Sequence, residues 1–118
     1  ATAFVLFMGV QACGRESGPT PTPAVAGADG TLSVLHRNYA FEPKRLSFRV
    51  GETVEFQLNS TDEVHTFTVR ELGVNGVVTQ EAKPQAQSFT FDLPGTYKLI
   101  CAIPGHKGSG MVGEITVE

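Results

Sequence analysis

From Thr31 to the C-terminus, apolar side chains recur at every second position, and this alternation constrains the fold more than any other feature. Leu46, Phe48 and Val50 form one row; Val54, Phe56 and Leu58 form another, interleaved with Glu55, Gln57 and Asn59. His65, Phe67 and Val69 share a parity, as do Phe89, Phe91 and Leu93, then Tyr97, Leu99 and Cys101, and finally Gly113, Ile115 and Val117. Successive side chains of a strand point to opposite faces, so each row marks one buried face of a half-buried antiparallel strand. Gly51-Glu52 and Pro94-Gly95 punctuate the rows as turns. Seven or eight strands between residues 31 and 118 predict an all-β fold, a Greek-key β-sandwich. No segment carries a helical period. Val74 to Lys83 is the least regular part, readable as a strand or as a loop with one helical turn.

The N-terminal part has a different composition. Residues 1–12 are near-continuously apolar or small and uncharged, too short for a membrane span but of signal-peptide length, without the basic start such a leader has. "VQAC", Val10 to Cys13, resembles the lipobox of bacterial lipoproteins, with Gln11 an unusual choice at the loose position. That resemblance implies cleavage before Cys13 and a lipid on its sulfur; the plain alternative is an ordinary leader followed by a spectator cysteine. Residues 13–30 then read as a tether, because Pro19, Pro21 and Pro23 alternate with threonines and offer no apolar face. The folded domain is expected over residues 31–118, in a chain outside the cytoplasm. A formal charge of −3 with no basic stripe argues against a nucleic-acid partner.

The chain has two cysteines, three histidines and two methionines, and one of each falls at Cys101, His106 and Met111, five residues apart. By parity His65 and Cys101 face the core, and Met111 lies on the parity of Ile115 and Val117. His106 occupies the loop between, which Pro104-Gly105, Gly108 and Gly110 allow to curl back. A thiolate, two imidazoles and a thioether make a soft, low-charge donor set suited to Cu(I) and Cu(II). Zinc ordinarily takes a closed set without methionine, and calcium or magnesium would need clustered oxygens. His36 shares parity with Leu32 and Val34 and reads as a structural or surface histidine outside the site. Pairing Cys13 with Cys101 in a disulfide would leave His65, His106 and Met111 unexplained.

These residues resemble the cupredoxins, the small blue copper proteins. The C-x4-H-x4-M loop is similar to that of auracyanin and rusticyanin, and residues 41–69, through Gly51-x-x-Val54 to His65, resemble the stretch leading to the family's first histidine ligand. The 36 positions from His65 to Cys101 are closer to compact members such as amicyanin and pseudoazurin. Thr66 stands where many relatives carry asparagine, with its backbone N–H placed to approach the Cys101 sulfur. The resemblance implies His65, Cys101 and His106 as equatorial ligands and Met111 as the axial ligand of one type 1 copper ion cycling between Cu(I) and Cu(II). It further implies a monomeric electron carrier, not an enzyme, with redox protein partners that include membrane-bound complexes. Ala102, Ile103 and Pro104 would ring the exposed edge of His106. A periplasmic copper chaperone or storage protein is the rival, although it would want exposed, exchangeable ligands. A dinuclear copper centre would need a second cysteine where Ala102 to Gly105 stand.

Overall fold

The computed structural model describes residues 22–118. Among the described residues nine strands are found: β1 (Thr31–Arg37), β2 (Ala40–Glu42), β3 (Arg45–Phe48), β4 (Glu52–Ser60), β5 (His65–Val69), β6 (Val74–Val78), β7 (Gln85–Phe91), β8 (Gly95–Ile100) and β9 (Val112–Val117). One sheet has the order β2-β1-β4-β7 and the other β3-β9-β8-β5-β6. Strands distant in sequence are therefore neighbours, as a Greek-key sandwich requires.

The inner faces meet in one core. Phe48 stacks on Phe91 at 4.6 Å, and Phe56 lies 4.9 Å from Phe67. Around them Leu46, Val54, Leu58, Leu99 and Ile115 are buried, following the alternation along each strand. Aromatic rings supply much of the buried area in a core that lacks tryptophan.

Several expectations are corrected. The strands are not all antiparallel, because β1 pairs parallel to β4 and β3 parallel to β9. The two members of each parallel pair are joined through intervening strands rather than by a hairpin. The short β2 and the strand β6 bring the count to nine; the helical turn is a 3₁₀ segment, Arg70–Leu72, just before β6. Val50 and Leu93 are not inward: both lie beyond the last residue of their strands and are 48% and 61% exposed. Contacts with the body of the fold also begin before Thr31. Ala24 bridges Leu46 in parallel, its N–H bonded to Arg45 O at 2.9 Å.

His36 belongs to the core and not to the surface. It is fully buried, its Nδ1 lies 3.3 Å from Val34 O, and its ring meets Phe41 edge-on at 5.1 Å. Nε2 has no hydrogen-bond partner among the described residues. Burial opposes the charged ring, and the nearby His65 adds to the effect, bringing the His36 pKa from 6.5 to about 4. Between those values the unfolded chain binds the proton and the native chain does not, so stability falls as pH drops through that window. The loss should approach about 3 kcal/mol at most. Denaturant unfolding followed from pH 7 to pH 4 should show this decline, and His36→Leu should flatten it.

Gly113 lies where β9 is squeezed between β3 and β8. A Cβ there would collide with the carbonyl oxygen of Lys44 and come within 3.1 Å of Leu99 Cδ2. A backbone atom cannot step aside as a side chain can. Gly113→Ala should cost about 1–3 kcal/mol in urea unfolding, whereas Gly108→Ala, with only Gly105 O at 3.8 Å, should not.

Candidate metal centre

The site is built where β5 begins and β8 ends. These strands are antiparallel neighbours with Thr68 opposite Ile100, so His65, the first residue of β5, is carried to the same pole as Cys101, which follows β8. Thr66 fastens the two. Its N–H lies 3.4 Å from Cys101 Sγ, as the sequence suggested, and its Oγ1 accepts from Ala102 N at 2.7 Å. The Thr66 hydroxyl is 2.8 Å from Thr68 Oγ1, which donates to Asn75 Oδ1 at 2.8 Å. With Thr68 donating onward, Thr66 donates to Thr68, and the buried relay is satisfied from end to end.

The loop from Cys101 to Met111 is closed by its own backbone. Cys101 N bonds Met111 O at 3.3 Å, and Met111 N bonds His106 O at 3.1 Å. Turns at His106 N to Ile103 O and Gly110 N to Lys107 O fold the interior. Gly105 and Gly110 have φ of 88° and 103°, a conformation that disfavours other residues.

His65, Cys101 and Met111 are fully buried, and His106 is 8% exposed. One donor atom from each of His65, Cys101 and His106 lies within 4.8 Å of the others. Both imidazoles present Nδ1 to the sulfur, at 3.9 Å for His65 and 3.5 Å for His106. A trigonal metal about 2.0 Å from nitrogen and about 2.3 Å from sulfur would separate those donors by about 3.7 Å. The donor set therefore fits a copper ion both in chemistry and in spacing. Met111, whose thioether is buried, is tied by backbone bonds to Cys101 and His106.

Behind each imidazole stands a carboxylate. His65 Nε2 is 2.7 Å from Asp62 Oδ1, and His106 Nε2 is 3.2 Å from Glu63 Oε1. Partial burial opposes ionisation of Asp62, but the N–H of Asn38, the His65 ring and the N–H of Glu63 outweigh it and hold its pKa at about 2. Tyr39 packs edge-on against the His106 ring at 5.2 Å. Asp62-Glu63 stands out in the sequence as the longest acidic run, but nothing there ties it to the imidazoles; Tyr39 carries no signal at all. Cys13 lies outside the described residues, and His36 sits 6.2 Å behind His65 without joining the cluster.

The sequence model for copper binding proteins of the plastocyanin/azurin family matches residues 28–118, and the chain belongs to that family. It is 37% identical over 84 residues to a plastocyanin of Prochlorothrix hollandica, a match that covers 66% of this chain and 63% of that one. It is 28% identical over 92 residues to cytochrome c oxidase subunit 2 of Thermus thermophilus, covering 74% of this chain and 67% of that one. A reduced amicyanin variant superposes with a TM-score of 0.56 at 31% identity, over 78% of this chain and 86% of the amicyanin. The chain thus spans less than two thirds of the length of the plastocyanin it matches. It is a cupredoxin with copper as its metal.

Thr66→Val keeps the shape but removes the acceptor for Ala102 N–H and the link to Thr68. It should lower stability by about 1–3 kcal/mol in a denaturant titration of the copper-free chain.

Proposed function

We propose that this chain is a mononuclear type 1 copper protein that passes single electrons between redox proteins outside the cytoplasm. His65, Cys101 and His106 are the equatorial ligands in this reading and Met111 the axial one. The observation that carries it is the buried His65–Cys101–His106 cluster, with both Nδ1 atoms facing one sulfur. Copper, when bound, supplies a one-electron Cu(I)/Cu(II) couple.

The chain's own residues provide the remaining requirements. Thr66 N–H approaches the Cys101 sulfur and fixes where it sits. The closed loop and the two sheets hold the donors in place, so that little has to rearrange when charge changes. Burial keeps water from the donors, and four protein ligands leave no position for a substrate. That supports carriage over catalysis, and exchangeable copper delivery fits poorly with ligands this deeply enclosed.

His106 is the ligand with the shortest way out. Ala102 and Pro104 are exposed beside it and Ile103 packs partly on the core, so an apolar rim borders the loop. With a formal charge of only −3, docking depends on such a rim more than on long-range steering. The partners in this reading are redox proteins, including membrane-bound complexes. Residues 1–12 act as a leader, and residues 13–30, lipidated at Cys13, as the tether of a monomeric domain over residues 31–118, the end of the tether lying along the domain through the Ala24–Leu46 bridge.

Titration of the chain with Cu(II) should give an intense visible thiolate–copper band that bleaches reversibly on reduction. Cys101→Ser should abolish it. A colourless chain that binds only Cu(I) and yields it readily would instead mark a copper carrier.

A further inference from the structure

Both imidazoles of the cluster are gripped from outside by consecutive residues of a single loop. Asp62 and Glu63 lie between β4 and β5, and their carboxylates stand against the outer nitrogens of His65 and His106. The loop is itself pinned. Asn38 N donates to Asp62 Oδ2 at 2.7 Å, Glu63 N donates to Asp62 Oδ1 at 2.7 Å, and Ser60 Oγ donates to Glu63 O at 2.6 Å. Tyr39 also packs edge-on against the His106 ring. The two rings are 5.1 Å apart, so one short acidic turn spans both of them.

Granted the ligand set proposed above, we propose that Asp62 and Glu63 are positioning residues that hold both imidazoles with Nδ1 turned to Cys101 and that lower the reduction potential of the copper. A carboxylate at Nε2 favours the tautomer with its proton there, which leaves the Nδ1 lone pair facing the sulfur and the metal. The same negative charges stabilise the dipositive ion more than the monopositive one. Asp62 acts through a short hydrogen bond to a fully buried ring. Glu63 acts chiefly through its charge, since its side chain is half exposed at 51%. Consecutive residues on one strand would point to opposite faces; here an irregular turn directs both carboxylates to the metal pole.

The test uses Asp62→Asn and Glu63→Gln, which keep shape and remove charge. The full chain loaded with copper should retain its thiolate band in both. The ratio of Cu(II) to Cu(I) affinity should fall about tenfold in each, a rise in potential of about 59 mV for one electron, and further in the double variant. In the copper-free chain, side-chain ¹⁵N shifts should place the ring proton of His65 and of His106 on Nε2. If Asp62→Asn fails to fold, Glu63→Gln, at an exposed side chain, decides the matter. Unchanged potentials with the band intact, or ring protons on Nδ1, would overturn the clamp and leave the copper assignment standing. A parent chain without any thiolate–copper band would overturn the ligand assignment and the clamp with it.

Discussion

The metal pole depends on the hydroxyl and backbone N–H of one buried residue, Thr66. The N–H approaches the Cys101 sulfur, and the oxygen accepts from Ala102. These contacts join the start of β5 to the end of β8, segments that meet only because the chain crosses between sheets after β6 and returns through β7. Thr66 carries on through Thr68 to Asn75, so the junction is anchored into β6 as well. A buried polar chain of this kind is useful only when every member is satisfied, and here it is.

Much of the sandwich is legible in the residues, because burial on one face imposes period two. Val54, Phe56 and Leu58 follow it, as do Leu46 and Phe48, all buried; β5 is buried on both faces, Thr66 and Thr68 included. Alternation says nothing about where a strand stops, which is why Val50 and Leu93 read as inward yet emerge at exposed ends. Nor does it fix partners: the parallel pairings of β1 with β4 and β3 with β9 arise from long connections that leave no local mark. β6 escapes a clear reading because Val74 and Val78 are its buried residues while Gly76 lies between them.

The proposed donor set is legible for a different reason. Its residue types are scarce in this chain, and three of the four lie in one loop at equal spacing. The surroundings were not readable, since Tyr39, Asp62 and Glu63 reach the imidazoles across gaps in sequence that only the fold closes. His36 was ambiguous on parity alone; its complete burial next to Phe41 makes it part of the packing.

The backbone bond from Cys101 N to Met111 O has one more consequence. It shuts the intervening residues into a ring closed at its base, where β8 and β9 are already paired through Ile100 and Val112. Side chains can then change at the exposed Lys107, Gly108 and Ser109 without shifting the register of either strand. The tip of the loop can thus vary in surface chemistry while the paired strands beneath it, and the buried His106 within it, stay as they are.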